Sequence, residues 1–340
     1  KSDLASKYAD PSTWTNLSID GIVGMLSSLF RSTFRVNVKR ASRPTKFLEI
    51  TQEIAISSRS IDVDVEFEKV PKPVLKFDGI LAPMGPSGRV RKLEAGNPKV
   101  PSYVYEVVDS NDLKAEEGIW MLYQRGESTY YITRLLSVGL LGIPKNRLLV
   151  PTRWSLTAVD AVVSRKLATK LLRYPEIPEI RVFKGAYAGN KYRILLAPGP
   201  LAYELVEIWL PGSIWNPEVE AGAWIGTDYE YEYWSVHKFS ELGGGYYAMK
   251  LPIYEYLTSE RRRATVIAIR EVTPDYWAPV GSWQMRETLR KMFREGKYEK
   301  FSEMKEALKS LQEGLVTPLH KWAEKSALLR DLLQQKRLTE

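Results

Sequence analysis

The sequence contains no cysteine. This absence excludes disulfide bonds, thiolate metal sites and a cysteine nucleophile. Histidine is almost as rare, because His237 and His320 are the only two and neither has a second ligand at the spacing of a metal site. We therefore expect no metal site and no serine–histidine–aspartate triad, while the identity of any cofactor stays unknown.

Amide side chains and long apolar runs are also scarce. The chain has 7 asparagines and 6 glutamines against 49 lysines and arginines, a composition typical of thermophilic proteins. No apolar run approaches the roughly 18 residues needed to span a bilayer. Residues 1–10 are polar and lack the apolar core of a signal peptide. We expect a cytoplasmic protein that does not contact membranes.

The remaining composition is that of a folded, mildly basic protein. Apolar residues make up 44% and charged residues 26% of the 340 positions, which is enough for a substantial core. The length favours two folding units. The net charge of +8 favours encounter with nucleic acid or another anionic ligand, although many basic proteins bind neither.

Hydrophobic periodicity predicts a mixed α/β (α+β) body followed by helices. Apolar residues at helical spacing predict helices over residues 18–30, 44–57, 112–124, 129–138, 156–172 and 245–257. A period of two, or a short apolar run, predicts strands over residues 61–67, 74–77, 102–108, 179–186, 192–197, 202–210 and 264–271. Further helices are predicted over residues 282–294, 298–311 and 318–335. We place an α/β body at 1–280, a C-terminal helical module at 281–333 and a short tail at 334–340.

A row of carboxylates follows one side of the first predicted strand, at Asp62, Asp64, Glu66 and Glu68. Oxygen ligands of this kind could hold a divalent cation. The same pattern is typical of the solvated face of an edge strand, where charge blocks pairing with another chain. We favour the second interpretation.

One loop–helix junction combines an arginine, an aromatic ring and a hydroxyl, at Arg153, Trp154 and Ser155. The free N–H groups of a helix N-terminus bind anions, and arginine adds a bidentate phosphate contact. These three residues are therefore candidate phosphate ligands. The alternative is a helix N-cap at Ser155 with Trp154 packed beside it.

A second junction holds three glycines and two tyrosines, which are Gly243, Gly244, Gly245, Tyr246 and Tyr247. Glycines let a backbone approach a ligand closely, and the rings could stack on a base. The segment is not a Walker motif, because no Lys-Ser/Thr follows the glycines. Nearby Asp228 and Glu230 are candidate catalytic or metal-binding carboxylates, or else an ordinary strand face. We expect Arg153 and this glycine segment to line one cleft.

Two segments are rich in cations. Residues 31–46 contain no acid, and four of their cations are candidate nucleic-acid ligands: Arg35, Lys39, Arg40 and Arg43. A second cluster lies in a Gly/Pro-rich stretch that we predict to be a flexible loop, with Arg89, Arg91 and Lys92 as its cations. Flexible basic loops suit phosphate backbones. Ordinary solvated surface explains both clusters equally well.

The C-terminal segment partly matches a ligand of a sliding clamp. Such ligands place an aliphatic residue three positions after a glutamine, and two aromatics after two more positions. The glutamine fills a polar pocket of the clamp, and the aliphatic and aromatic side chains fill an apolar pocket. Gln335 and Leu338 fit this pattern, and the sequence ends where the aromatics would begin.

Several strings, taken together and in order, resemble the archaeal Nre family of DNA repair proteins. They are Leu17-Ser-Ile-Asp, Ser57-Ser-Arg-Ser-Ile-Asp-Val-Asp-Val-Glu-Phe-Glu, Val150-Pro-Thr-Arg-Trp-Ser-Leu-Thr-Ala-Val-Asp, Val206-Glu-Ile-Trp-Leu-Pro-Gly-Ser-Ile-Trp, Asp228-Tyr-Glu and Gly243-Gly-Gly-Tyr-Tyr-Ala. The Pro-Thr-Arg-Trp-Ser string is the most specific of these.

The resemblance implies a role in DNA damage repair and a C-terminal box that binds the sliding clamp (PCNA). That box maps onto Gln335 and Leu338. We add Arg59, in the second string, to the ligand-binding candidates. Many family members begin with a cysteine-rich zinc module, which a chain without cysteine cannot form. The resemblance supplies no catalytic motif.

Three hypotheses follow. The favoured one is a DNA repair accessory factor that binds nucleic acid or a nucleotide and is recruited to the clamp by its tail. The second is an enzyme acting on a phosphorylated ligand, such as a nucleotide phosphohydrolase, with Arg153 on the phosphate and Asp228 or Glu230 as base. The third is a non-catalytic interaction module.

Overall fold

A computed structural model describes residues 8, 10–72, 85–231, 234–235 and 239–337. The chain forms two compact units, the first ending at Val163 and the second beginning at Ser164. The predicted mixed α/β class is confirmed, because helices and sheets occur in both units. No helix within the described ranges is both long and apolar enough to cross a membrane.

The first unit contains a small sheet and several helices. Its helices are α1 (Ile19–Ser27), α2 (Lys46–Ile56), α3 (Ser102–Val108), α4 (Ala115–Gln124), α5 (Thr129–Ser137) and the start of α6 (Thr152–Leu171). Its strands are β1 (Arg31–Thr33), β2 (Val63–Phe67) and β3 (Ser87–Ala95), in the order β1-β3-β2. The β1–β3 pair is parallel and the β2–β3 pair antiparallel.

Local sequence explains where several of these elements begin. Ser18 caps α1, since its hydroxyl accepts a hydrogen bond from the Gly21 N–H at 3.1 Å. The prediction of a strand over 102–108 is wrong. Val104, Val107 and Val108 are buried at helical spacing in α3, and this period prevailed over the strand preference of β-branched residues. The strand predicted at 74–77 lies outside the described residues.

The second unit is built on a seven-stranded sheet. Its strands are β4 (Ile180–Tyr187), β5 (Asn190–Ala197), β6 (Ala202–Trp209), β7 (Trp224–Tyr231), β8 (Trp234–Ser235), β9 (Thr265–Val272) and β10 (Glu299–Phe301), in the order β10-β4-β5-β9-β6-β7-β8. Within this sheet, only the β6–β9 pair is parallel among the described strands. Every residue of β9 is buried, as expected of a central strand covered on both faces.

Helices cover both faces of this sheet. On one side lie α7 (Gly244–Glu260) and α8 (Trp283–Glu295), with Phe293 of α8 against Phe183 of β4 at 5.0 Å between ring centroids. On the other lie α9 (Met304–Gln312), α10 (Leu319–Ala323) and α11 (Ala327–Arg337). Trp322 and Leu328 join Ile267 in the apolar core of that side. The C-terminal helices therefore share a hydrophobic core with the sheet.

Three strands of the sheet, β7, β8 and β10, were not predicted. Residues 298–311 were expected to form one helix, but Glu299–Phe301 pair with β4 as β10 and the helix begins only at Met304. A strand of three residues is too short to leave a periodic signal. Strand β7 has no counterpart among the predictions, although it carries both candidate catalytic carboxylates.

Candidate functional site

Asp228 and Glu230 lie beside the glycine segment in the second unit. Both are on β7, two residues apart, so their side chains share the face of the sheet that α7 covers. The Tyr246 hydroxyl donates to Glu230 Oε2 at 3.2 Å. The Glu241 N–H donates to Asp228 Oδ2 at 3.2 Å. Residues 241–246 and the two carboxylates therefore form one contiguous cluster.

A buried lysine neutralises Glu230. Lys250, on α7, donates a hydrogen bond to Glu230 Oε1 and forms an ion pair with it. Burial lowers the pKa of the Lys250 ammonium, and the charge of Glu230 opposes that shift. The ring of Tyr254 lies 5.1 Å from Lys250 Nζ and adds a cation–π contact. Glu230 is thus a paired, buried carboxylate rather than a free base.

The two tyrosines of the glycine segment differ in exposure. Tyr246 is 2% exposed, and its ring packs edge-on against Tyr203 at 4.9 Å between centroids. Burial, followed by the nearby charge of Glu230, raises the pKa of Tyr246 far above its ordinary value. Tyr247 is half-buried, and its hydroxyl accepts a hydrogen bond from the Ser240 N–H at 3.1 Å. Tyr246 thus presents no exposed ring face to a base.

The glycines of this segment have different conformational needs. Gly243 adopts φ +61° and ψ −142° at the start of α7, a backbone region that favours glycine. A Cβ there would meet nothing within 4 Å, so the dihedral angles alone require glycine. A Cβ on Gly245 would make ordinary contacts with Met285 at 3.6 Å and Glu207 Oε1 at 3.7 Å. The position of Gly245 therefore has room for alanine.

A second buried ion pair lies on the same face and was not predicted from the sequence. Arg270 of β9 donates through Nη1 to Glu207 Oε1 of β6 at 2.5 Å, and through Nε to Asn190 Oδ1 at 2.8 Å. Arg270 is 2% exposed. Burial lowers the pKa of its guanidinium, but the charge of Glu207 and two nearby tyrosines outweigh burial and raise the pKa overall.

A sequence signal for this pair existed. Glu207 lies inside the largely apolar run predicted as a strand over 202–210, and Arg270 lies inside the run predicted as a buried strand over 264–271. A charge in such a place needs a buried partner of opposite sign. Among the residues that the structure describes, no three His, Asp or Glu side chains are arranged to hold a metal ion.

Arg153, Trp154 and Ser155 lie in the first turn of α6, which begins at Thr152. The alternative interpretation, with Ser155 as N-cap and Trp154 packed beside it, is wrong. Ser155 lies inside the helix and is buried, while Trp154 is 61% exposed. The guanidinium carbon of Arg153 is 5.9 Å from the Trp154 ring centroid. These residues belong to the first unit and Gly243 to the second, so their convergence in one cleft stays a prediction.

Five exposed cations of the first unit form what we call the basic surface: Arg35, Lys39, Arg40, Arg43 and Lys46. None forms an ion pair with an acid in the described ranges. Hydrogen bonds hold the backbone beneath them at two carbonyls, those of Val38 and Ala41. Gln52 Nε2 donates to the carbonyls of Ala41 and Val138, both at 2.9 Å, and the Leu149 N–H donates to the Val38 carbonyl at 2.9 Å.

The second basic cluster is organised differently. Arg89, Arg91 and Lys92 lie on β3, so the prediction of a flexible loop is wrong. Each is paired with a carboxylate: Arg89 with Glu68 at 3.0 Å, Arg91 with Glu66 at 3.1 Å and Lys92 with Glu94 at 2.9 Å. Strand β2 is an edge strand among the described strands, as we favoured, and Glu66 and Glu68 of the carboxylate row neutralise two cations of the neighbouring strand.

Arg59 follows α2 in a turn and is exposed. The turn is held by Ser57, whose hydroxyl donates to the Arg59 carbonyl at 2.7 Å and accepts from the Lys99 N–H at 3.1 Å. The guanidinium of Arg59 is therefore presented on a fixed backbone.

The tail continues from α11, the last helix. Gln335 lies within α11, and Leu338 lies outside the described residues. Leu328 and Leu329 are each 1% exposed, whereas Leu333 is 44% exposed. The helix is therefore anchored at its start and more open towards its end.

Comparison with known proteins identifies the family of the chain. The family described as archaeal Nre, N-terminal, matches residues 1–216, and the family described as archaeal Nre, C-terminal, matches residues 231–340. No solved structure matches the chain significantly.

Three curated relatives bear the name of DNA repair proteins. NreA of Archaeoglobus fulgidus is 37% identical over 310 residues, which cover 90% of this chain and 78% of that protein. NreB of the same organism is 35% identical over 324 residues, or 95% of this chain and 80% of that protein. NreA of Haloferax volcanii is 33% identical over 334 residues, or 96% of this chain and 79% of that protein. The chain belongs to the archaeal Nre family.

Proposed function

We propose that this chain is a DNA repair factor that contacts nucleic acid through its basic surface. The names of its relatives support a role in DNA repair. The observation that carries the proposal is that five exposed cations, between Arg35 and Lys46, have no acidic partner in the described residues. Unpaired cations bind phosphates without first losing an intramolecular ion pair.

The fixed backbone of the basic surface strengthens this proposal. Asn37 caps the short turn Val38–Arg40 by accepting the Lys39 N–H at 2.9 Å. Gln52 holds the following residue, Ala41, through its carbonyl. Because these contacts order the backbone before binding, less conformational entropy is lost when phosphates are engaged. Phosphate contacts of this kind set position and affinity but carry no sequence information.

Charge reversal at two central positions tests the proposal. We expect R40E/R43E to weaken binding to single-stranded and duplex DNA by about ten-fold or more, alike for all sequences. The matched control is K291E/R294E, which makes the same change in net charge on two exposed cations of the second unit. Equal losses in the two variants would show that only net charge matters. Unchanged binding by R40E/R43E would reject the basic surface as the contact.

We further propose that the tail recruits the chain to the sliding clamp (PCNA). The proposal is supported by the positions of Gln335 and Leu338 and by the anchored start of α11. Placing two aromatic residues at the motif positions that follow Glu340 should create or strengthen clamp binding, because they would fill the apolar pocket. Changing Gln335 and Leu338 to alanine in that extended form should abolish it. Clamp affinity that survives both substitutions would place recruitment elsewhere.

A phosphate-ligand enzyme is the weaker candidate. Glu230 is paired with Lys250, and Tyr246 is buried, so neither is free for the role that the enzyme hypothesis gives it. The exposed residues Arg153 and Trp154 are the candidates in this hypothesis for binding the phosphate and the base of a nucleotide. Nucleotide binding that R153A abolishes, in a chain with intact stability, would favour this candidate.

A further inference from the structure

Two stretches of the first unit contain no acidic residue. They are residues 21–48, which include the basic surface, and residues 128–159. The second stretch carries two exposed cations, Lys145 and Arg153, and neither forms an ion pair with an acid in the described ranges. Because Asp and Glu number 41 in the 340 residues, two such stretches make a region where an anion meets little repulsion.

The fold joins these two stretches through their backbones. The Leu149 N–H donates to the Val38 carbonyl at 2.9 Å. The Ser42 hydroxyl, between two cations of the basic surface, donates to the Pro144 carbonyl. The exposed lysine that follows Pro144 therefore lies beside the basic surface, and the positive charge of the two stretches is continuous.

Exposed apolar side chains run from the basic surface towards the start of α6. Val38 is 55% exposed, Leu148 is 48% exposed and Trp154 is 61% exposed. We call these three residues the apolar strip. Trp154 follows Leu149 by five residues, so the Cα atoms of these two residues lie within about 19 Å of each other. The Trp154 N–H donates to the Pro151 carbonyl at 2.9 Å, which places the indole on an ordered helical turn.

A cation stands next to the exposed indole. The guanidinium carbon of Arg153 lies 5.9 Å from the centroid of the Trp154 ring, and Arg153 is itself exposed. An exposed indole is a stacking surface for a nucleobase, and an adjacent guanidinium can contact the phosphate of the same strand. In a duplex the bases are stacked on each other and paired, so the indole can reach only the bases of a single strand.

We propose that single-stranded DNA crosses the first unit from the basic surface to Trp154, where one base stacks on the indole. This inference rests on the proposed function, which assigns the phosphates to the basic surface. The cations alone hold any phosphate backbone, whereas the indole and the apolar strip favour unpaired bases. The positive charge on both sides of the strip favours a polyanion over an apolar protein segment.

Three fluorescent probes test this inference on the full chain by anisotropy. They are a single strand of thymidines, an abasic strand with the same number of phosphates, and a duplex of the same length. Wild type should bind the thymidine strand about ten-fold more tightly than the abasic strand, as expected for one stacked base. W154A should remove that difference and leave duplex binding unchanged, while W154F, which keeps an aromatic ring, should retain most of the difference.

The variant R40E/R43E separates this inference from the proposed function. It should weaken binding of the thymidine strand and the abasic strand by the same factor, because it removes phosphate contacts only. If R40E/R43E binds both strands as wild type does, the proposed function fails and this inference fails with it. If R40E/R43E binds weakly but W154A binds the thymidine strand as wild type does, only this inference fails.

The matched control is W277A, which removes an indole of the second unit that is 45% exposed. W277A should not change binding of any probe, and equal losses in W277A and W154A would overturn the inference. Weaker duplex binding by W154A would also overturn it, as would a dimer in sedimentation that W154A dissociates, since the occupant would then be a second copy of the chain. Because the wild-type comparison of thymidine and abasic strands needs no substitution, equal affinities there would reject base stacking however the variants fold.

Discussion

Glu204, on the inner strand β6, accepts a hydrogen bond from the Ser326 hydroxyl at 2.5 Å. The same carboxylate accepts the N–H groups of Ala327 at 2.8 Å and Leu328 at 3.1 Å. Glu204 is 0% exposed. A buried strand residue therefore provides the N-terminal cap of α11, the helix that leads to the tail.

Removing this cap should destabilise the second unit. We expect E204A to lower the free energy of unfolding by about 2 to 3 kcal/mol, because it leaves buried N–H groups without an acceptor. S326A, which removes one hydroxyl, should cost about 1 kcal/mol. Urea unfolding measures both, with E306Q on the exposed face of α9 as control. A chain as stable with E204A as without it would show that α11 does not depend on this cap.

Glu204 should also make the stability of the folded chain depend on pH, in a direction that its pKa shift defines. Burial raises the pKa of Glu204 above its ordinary value of 4.5, although hydrogen bonds from Ser326 and the helix N–H groups oppose the shift. The folded state then binds the proton more tightly than the unfolded state. The resulting stabilisation is fully present below the unfolded pKa and is lost as the pH rises through the folded pKa.

The wild-type chain should therefore gain stability relative to E204Q as the pH falls from neutral towards 4.5. Urea unfolding of both proteins at several pH values in this window isolates the contribution of Glu204 to the free energy of unfolding. All other titrating groups are present in both proteins. A stability difference that does not change with pH would mean that Glu204 does not titrate there.

The Glu230–Lys250 pair should behave as a coupled buried unit. K250M should destabilise the chain by about 3 to 5 kcal/mol, because it leaves the carboxylate buried without a counter-charge. Adding E230Q to K250M should restore much of that loss. K184M, at a partly exposed lysine that pairs with Glu299 and Glu313, should cost less than about 1 kcal/mol. Additive effects of E230Q and K250M in unfolding experiments would contradict the coupling.

Alanine substitutions can separate conformational glycines from ligand-binding ones. G243A should lower the free energy of unfolding by about 1 to 3 kcal/mol, because a residue with a side chain is strained at φ +61° and ψ −142°. G245A should change stability by less than about 1 kcal/mol, because its Cβ meets only ordinary contacts. Nucleotide or DNA binding that G245A abolishes without a change in stability would instead assign Gly245 to a ligand site.

Part of the fold follows from local pattern. The spacing of apolar residues behind Ser18 predicts α1, and the short apolar run within residues 264–271 predicts the buried strand β9. Val104, Val107 and Val108 show the limit of this approach, because their β-branched type favours a strand and their spacing a helix. Strand β10 is stabilised by its pairing with β4, more than 100 residues earlier, and short segments of this kind have little pattern of their own.

The candidate site was predicted less completely. Asp228, Glu230 and the glycine segment were expected to be functional and do lie together. The pairing of Glu230 with Lys250 depends on which face of α7 meets the sheet. The Glu207–Arg270 pair depends on the register of two strands that are 63 positions apart at these residues. Neither relationship can be inferred from the spacing of residues along one segment.

The salt dependence of DNA binding tests the central proposal most directly. For the wild-type chain, the logarithm of the binding constant should fall linearly with the logarithm of the salt concentration, with a slope set by the number of phosphates contacted. R40Q/R43Q should reduce the magnitude of that slope by roughly 1.5 to 2. R89Q/R91Q should leave it unchanged, because Arg89 and Arg91 are already paired with carboxylates. Equal slopes for wild type and R40Q/R43Q, or a larger loss in R89Q/R91Q, would contradict the assignment of the basic surface as the nucleic-acid contact.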